Sequence, residues 1–122
     1  MNKVKIDKLT QKVVKECEKQ KRVLAVAESC TGGMLSSYIT SVSGSSKIFD
    51  RGFITYSNDA KIDLTNVKKK TLEKFGAVSK ETAVEMVEGT IKNSHSSLAI
   101  SITGVAGPGG GTSVNPVGTV YI

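Results

Sequence analysis

The stretch Ala25–Met34 constrains the fold of this chain more than any other. It begins with small and β-branched apolar residues, as the end of a buried strand does, and continues through Glu28, Ser29 and Cys30 to a pair of glycines. An apolar run that is compatible with a helix follows Gly33. We therefore expect a strand that turns tightly into a helix, so that hydroxyls and backbone N–H groups converge on one anionic or carbonyl-bearing ligand.

The rest of the chain alternates between helical and strand patterns, which predicts an α/β layered sandwich. The helices are expected near residues 3–20, 34–39, 60–64, 68–75 and 79–93, and the strands at 23–27, 51–56, 98–103 and 117–122. Ligands of such folds bind beyond the carboxyl ends of the strands, so the loops after the first three strands should line a common pocket. The 122 residues contain no repeat or linker and fit one domain.

Apolar residues of two helices recur at three- and four-residue spacing, which predicts that each helix packs one face on the core. In the first helix these residues are Ile6, Leu9, Val13 and Cys17, and in the last they are Ala83, Val87 and Ile91. Ser57–Asp59 is a predicted N-cap region, Ser79 is a predicted N-cap, and Gly76 is a predicted C-cap.

The net charge of +6 raises the alternative of a nucleic-acid-binding protein. The lysines are dispersed, however, and three Tyr, three Phe and no Trp offer no stacking platform. We therefore expect a small anionic substrate and no nucleic acid. No apolar run has membrane-spanning length, so we expect a cytoplasmic protein without a membrane partner. Two cysteines and one histidine do not suffice for a disulfide framework or a zinc site.

Ser29 and Cys30 are the two candidate nucleophiles in the central turn. Adjacent residues of an extended chain point to opposite sides, so only one of them should face the pocket, and the residues alone leave open which. His95 is the only histidine and lies in a predicted helix-ending turn at the opposite end of the sheet, which argues against a Ser–His–Asp triad. Lys61 can serve as the base if burial lowers its pKa; the alternative is a surface lysine.

Two Gly-rich segments, Gly32–Gly33 and Gly104–Gly111, are candidate phosphate cradles. Neither continues into the Gly-Lys-Ser/Thr sequence of a phosphate loop, and neither has the Gly-x-Gly-x-x-Gly spacing of a dinucleotide site. The second segment joins two predicted strands of a small domain. It is either a functional loop or a flexible surface loop.

Several ordered motifs resemble the C-terminal domain of the CinA family of competence/damage-inducible proteins, whose stand-alone members are nicotinamide-mononucleotide deamidases. These motifs are Ala27–Gly33, Tyr56–Lys61, Gly76–Ser79, Thr103–Pro108 and Pro116–Thr119. The resemblance runs from about residue 5 to the last residue. Agreement of several motifs in order is far more specific than any single Gly-rich loop.

The resemblance implies a three-layer α/β/α domain that converts nicotinamide mononucleotide to nicotinic acid mononucleotide and ammonia, in pyridine nucleotide recycling, without metal or cofactor. It also implies that Ser29 is the nucleophile, that Lys61 is the general base and that Tyr56 assists. By this analogy Ser29 is preferred over Cys30. The substrate-binding residues expected on the same basis, with the turn holding the oxyanion and the second Gly-rich loop the phosphate, are Thr31, Gly32, Gly33, Ser46, Thr103, Gly104 and Gly107.

The chain also departs from the family pattern. Gly109 stands where an acidic residue is usual, and Asn115 where a basic residue is usual. Family members continue beyond the position of Ile122 with residues that complete the sheet, an arginine implicated in the site and a closing helix. We therefore expect residues 1–122 to form a single domain that lacks its C-terminal strand and helix. An exposed sheet face predicts a homo-oligomer such as a dimer. The alternative function is a catalytically impaired nucleotide-binding or assembly module.

Overall fold

The computed structural model describes residues 2–122, and a four-stranded mixed sheet lies at its centre. The strands are β1 (Leu24–Glu28), β2 (Phe49–Ile54), β3 (Leu98–Gly104) and β4 (Val120–Tyr121), in the order β2-β1-β3-β4. β1 pairs in parallel with both β2 and β3, and β4 pairs antiparallel with β3. The helices are α1 (Lys3–Lys19), α2 (Met34–Thr40), α3 (Asn58–Thr65), α4 (Lys69–Phe75) and α5 (Lys80–Lys92), with a 3₁₀ turn at Ser45–Lys47.

Helices cover both faces of β1, and all of its residues are buried. On one face, Leu24 and Val26 pack with residues of α1 and α2. On the other face, Ala27 packs with residues around α4 and α5, and side chains of α3 join them. The predicted three-layer α/β/α architecture is therefore confirmed. No helix within residues 2–122 is long and apolar enough to cross a membrane.

The predicted caps are confirmed, because each satisfies a local need of the backbone. Ser57 Oγ accepts the N–H of Ala60 at 3.0 Å, and Ser79 Oγ accepts the N–H of Thr82 at 3.2 Å. Gly76 ends α4 with a φ of 80°, a conformation that glycine adopts without strain.

The predicted core faces of α1 and α5 are wrong in part. Leu9 is 54% exposed and Ile91 is 41% exposed, and the buried positions include Thr10 in α1 and Thr90 in α5. Each threonine donates its hydroxyl to the carbonyl four residues earlier in its own helix. Because its hydroxyl is hydrogen-bonded within the helix, a threonine packs in the interior at little cost. The pattern of polar and apolar residues alone therefore gives the wrong buried face for these helices. Val13 of α1 is likewise exposed.

The strand predicted at residues 51–56 lies two residues earlier, at Phe49–Ile54. Thr55 still donates its N–H to Glu28 O at 2.8 Å, but Ser57 caps α3 directly afterwards, so the chain leaves the sheet there. The last predicted strand is shorter than expected and comprises Val120–Tyr121. Residues 116–119 form a turn instead, in which the N–H of Thr119 binds Pro116 O at 3.0 Å.

Candidate active site

A cavity of about 260 Å³ lies where the carboxyl ends of β1, β2 and β3 meet. Its lining comes from the loops that follow these three strands, from α3 and from the segment before α5. The lining residues are Ser29, Cys30, Tyr56, Asn58, Lys61, Ala77, Val78, Thr103, Gly104 and Ala106. The expectation that these loops share one pocket is confirmed.

Lys61 reaches from the first turn of α3 to the end of β1. Its Nζ lies 3.1 Å from Ser29 Oγ, and both residues are buried. Lys61 is only 1% exposed, so its interpretation as a surface lysine is wrong. A buried serine hydroxyl in contact with a buried amine is an arrangement that activates an oxygen nucleophile.

Two backbone carbonyls complete the surroundings of the Lys61 amine. Nζ donates to Thr55 O at 2.9 Å and to Tyr56 O at 3.3 Å. A neutral amine has two N–H donors and one lone pair, and these fit two carbonyls and the hydroxyl proton of Ser29. Burial lowers the pKa of Lys61 from its ordinary value, while charge on Cys30 acts in the opposite direction. Burial thus makes the neutral amine, which can accept a proton, easier to form than in an exposed lysine.

Cys30 also lines the cavity, so the expectation that only one of the two candidates faces it is wrong. The expectation assumed an extended chain, but β1 ends at Glu28 and the next residues turn. The N–H of Gly32 binds Ser29 O at 3.1 Å and closes this turn. Contact with Lys61 Nζ nevertheless distinguishes Ser29, since the hydrogen bond is to its hydroxyl.

Glu28, for which no role was predicted, is fully buried on the α2 side of β1. Its carboxylate accepts four hydrogen bonds: from Thr31 Oγ1 at 2.7 Å, Leu35 N at 2.8 Å, Ser36 N at 3.0 Å and Ser36 Oγ at 2.7 Å. Burial alone raises the pKa of the Glu28 carboxyl, but these hydrogen bonds outweigh burial and lower it. The signal in the sequence was an acidic residue at the end of an otherwise apolar strand.

The turn at Thr31, Gly32 and Gly33 does not line the cavity. Gly32 and Gly33 have φ values of 56° and 103°, which explains the glycine pair. The Thr31 hydroxyl and the Gly32 N–H are already bonded to Glu28 and Ser29 O respectively. Within residues 2–122, the N–H group of Cys30 has no acceptor and Cys30 lines the cavity, which makes this group the better candidate for holding an oxyanion.

Thr103 and Gly104, at the end of β3, also line the cavity. Thr103 donates its hydroxyl to Ala77 O at 2.8 Å, and Asn115 Nδ2 donates to Val78 O at 3.0 Å. These bonds tie the end of β3 and the Gly-rich loop to the segment before α5. A Cβ on Gly104 would lie 2.6 Å from Thr119 O, so the strand and the returning chain approach closely here.

Three other residues lie away from this cavity. Ser46 is exposed in the 3₁₀ turn before β2, and because β2 runs parallel to β1, this turn is at the opposite edge of the sheet from Ser29. The structure therefore does not bring Ser46 into the candidate site. Gly107 packs beside Val117 instead of lining the cavity. His95 lies at the far end, as predicted, where its N–H binds Asp50 Oδ2 at 2.9 Å.

Tyr56 lies at the mouth of the cavity and is 71% exposed. Its backbone carbonyl holds Lys61, so its side chain is free to contact a ligand. The residues that line the cavity but were not predicted are Asn58, Ala77, Val78 and Ala106. Among residues 2–122, no three His, Cys, Asp or Glu side chains come together as a metal site requires.

The motifs and this geometry agree with a comparison against known families. The model of the CinA C-terminal domain matches residues 6–122. The chain belongs to the CinA C-terminal domain family. Similar proteins include one from Thermoanaerobacter sp. (strain X514), provisionally named a competence-damage inducible protein and 51% identical over 116 residues. Another with the same name, from Clostridium botulinum (strain Langeland), is 56% identical over 104 residues.

Solved CinA structures have the same fold. A competence/damage inducible protein from Agrobacterium tumefaciens superposes with a TM-score of 0.92 at 43% identity over 94% of this chain. A CinA superfamily protein from Escherichia coli gives 0.92 at 35% identity over 98% of this chain. The chain spans 70% of each of these solved chains. It spans 28% of the length of the Thermoanaerobacter relative and 25% of the Clostridium one.

Proposed function

We propose that this CinA-family domain is an amidohydrolase that deamidates nicotinamide mononucleotide through Ser29 and Lys61. The observation that carries the proposal is the buried contact between Lys61 Nζ and Ser29 Oγ, with two carbonyls on the remaining amine donors. This contact gives a weak nucleophile a base at hydrogen-bonding distance without a histidine. The substrate is proposed from the resemblance to family deamidases, and the contact between Ser29 and Lys61 supports the proposed chemistry.

In the proposed first step, neutral Lys61 takes the hydroxyl proton of Ser29 while Oγ attacks the carboxamide carbon. The N–H group of Cys30 stabilises the resulting oxyanion. The Lys61 ammonium then returns its proton to the amide nitrogen, the carbon–nitrogen bond breaks and ammonia leaves. A water molecule, deprotonated by Lys61, attacks the ester carbon and releases nicotinic acid mononucleotide with Ser29 restored.

Other cavity residues fit the rest of a mononucleotide. The Thr103 hydroxyl donates its proton to Ala77 O, so the hydroxyl oxygen is available to accept an N–H of the substrate carboxamide. Tyr56 is exposed at the cavity mouth, where it suits a pyridine or ribose ring. The loop beyond Gly104 and the net charge of +6 suit an anionic phosphate.

Ammonia release from nicotinamide mononucleotide tests the proposal, with variants of the two adjacent candidates as a matched pair. We expect S29A to lower kcat by at least about a thousandfold, because the nucleophile is lost. C30A removes a thiol of similar size from the same cavity and should retain at least about a tenth of the activity. Full activity in S29A with loss in C30A would contradict the assignment of Ser29.

A non-catalytic nucleotide-binding or assembly module is the second candidate, in which the same cavity would bind the nucleotide without reacting with it. Calorimetric binding of nicotinamide mononucleotide without ammonia release would favour it over the amidohydrolase. A nucleic-acid binder would instead show steeply salt-dependent retention of DNA or RNA.

A further inference from the structure

Glu28 and Ser29 leave the end of β1 towards different layers of the sandwich. The Glu28 carboxylate contacts the start of α2, and the Ser29 hydroxyl contacts Lys61 of α3. This divergence follows from the alternation of side chains along a strand. Glu28, which directly precedes the proposed nucleophile in the chain, is thus anchored in the opposite layer.

The anchor is built in detail. Four donors from Thr31, Leu35 and Ser36 point at the two carboxylate oxygens, and the residue is completely buried. Gly52 of the neighbouring strand β2 leaves room for the Ser36 side chain, because a Cβ on Gly52 would lie 2.5 Å from Ser36 Oγ. The bonds to residues 31, 35 and 36 enclose the Ser29–Gly33 turn, so the turn has little freedom to rotate.

The backbone of Glu28 also connects with the base. Its carbonyl accepts the N–H of Thr55 at 2.8 Å, and the carbonyl of Thr55 accepts Lys61 Nζ at 2.9 Å. Ser29 in turn donates its N–H to Ile102 O at 2.9 Å, which fixes the peptide on the β3 side. One residue is therefore linked to Ser29 through the chain and to Lys61 through Thr55.

The hydrogen-bond pattern suits an ionised carboxylate. Each Glu28 oxygen faces one backbone N–H, which only an acceptor can satisfy, and one hydroxyl. A glutamine would replace one oxygen by an NH₂ group, and that group would face a backbone N–H that needs an acceptor. Hydrogen bonds on one side of the Glu28 side chain would then be lost, and buried polar groups would be left unpaired.

We infer that Glu28 is a positioning residue that holds Ser29 Oγ and Lys61 Nζ in reacting contact by fixing the start of α2 to the end of β1. The inference rests on the proposed function for its kinetic readout. Glu28 does not touch the cavity and takes no proton in the reaction. Its effect is geometric, through the turn that carries the nucleophile.

The kinetic test compares E28Q with a matched control, E85Q. Glu85 also binds the start of a helix, accepting from Lys68 N at 2.8 Å and Thr71 Oγ1 at 2.6 Å, but it lies away from the candidate site. We expect E28Q to lower kcat about a hundredfold with KM changed less than about threefold, as misplacement of a reacting group does. E85Q should keep the wild-type kcat. Equal kcat in E28Q and wild type would overturn the inference.

A crystal structure of E28Q provides a readout that does not depend on any activity. The separation of Ser29 Oγ and Lys61 Nζ should increase from 3.1 Å to beyond hydrogen-bonding distance. An unchanged separation overturns the inference, even if the protein deamidates nicotinamide mononucleotide. A longer separation in a protein without deamidase activity supports the positioning role and contradicts the proposed function.

Milder variants cover the case in which E28Q does not fold. T31V and S36A each remove one hydroxyl donor and leave the carboxylate in place. We expect each to lower kcat severalfold, and E28D, which keeps the charge but shortens the side chain, to be intermediate between wild type and E28Q. Wild-type kcat in both T31V and S36A would count against the inference.

Discussion

Lys61 Nζ has three hydrogen-bond partners in the structure, and none of them is a carboxylate. A lysine that is buried without a counter-ion is less stable in its charged form, and burial therefore lowers the pKa of Lys61. Cys30 is the neighbour whose charge opposes this effect. The proton affinity of the proposed base is therefore adjustable by single substitutions around the cavity.

The pH dependence of kcat/KM for deamidation should report this proton directly. We expect activity to rise with pH as Lys61 deprotonates, with a midpoint below the value of about 10.4 that is ordinary for lysine. C30S should move the midpoint to lower pH, because it removes the thiol whose charge, when ionised, favours the ammonium. Rates measured between about pH 6 and about pH 10 test both expectations.

K61R serves as the control for this profile. A guanidinium remains protonated throughout the range, so the rising limb should disappear and kcat should fall by about a hundredfold or more. A common midpoint in wild type and C30S would contradict the role given to Cys30.

At the scale of elements, α3 carries Lys61 and is held in place by α5. Gly89 makes the close approach possible, since a Cβ there would lie 1.7 Å from the carbonyl oxygen of Thr65 at the end of α3. The hydroxyl of Thr65 donates a hydrogen bond to Lys61 O at 2.8 Å. The position of the proposed base thus depends on a helix contact that tolerates no side chain.

G89A should therefore destabilise the protein by about 1–3 kcal/mol, because the added methyl group must push the two helices apart. G109A is the matched control, since a Cβ on Gly109 would meet nothing within 4 Å. Urea unfolding of both variants measures the effect. If G89A and G109A have the same free energy of unfolding, the close packing of α3 on α5 is not as described.

Most helices and strands could be predicted from signals that act within a few residues of the sequence. Features that depend on contacts between residues distant in the sequence could not. The Ser57 and Ser79 caps and the Gly76 terminus act within a few residues, so the sequence reveals them. The parallel order of the strands explains why the Ser29 and Lys61 loops could be expected to meet. The burial of Lys61 and of the Glu28 carboxylate depends on contacts between layers, which no spacing rule contains.

For the whole molecule, Glu28 and Lys61 are buried ionisable groups on the two sides of β1, and both have lowered pKa values. In each case the unfolded chain binds more protons than the folded one between the two pKa values. Unfolding free energy therefore rises with pH in both windows. For Glu28 this contribution is complete above the unfolded pKa and is lost as the pH falls through the folded pKa.

For Lys61, stability should increase as the pH rises from the folded pKa towards about 10.4. We expect the difference in unfolding free energy between wild type and K61M to shift in favour of wild type between about pH 7 and about pH 9.5. Urea unfolding at the two pH values measures it. K92M, which changes an exposed lysine, should show no such shift. Parallel behaviour of K61M and K92M would contradict the burial of Lys61.

The divergence of neighbouring side chains at the end of β1 also limits how this domain can evolve. β1 is paired on both edges, so inserting or deleting one residue within it would exchange the faces of Glu28 and Ser29. The acid would then meet Lys61 and the hydroxyl would meet α2. A substitution at either position changes the side-chain contacts of one layer directly, whereas a change of length moves side chains in both layers at once. Engineered libraries should therefore vary residue types around this strand and keep its length fixed.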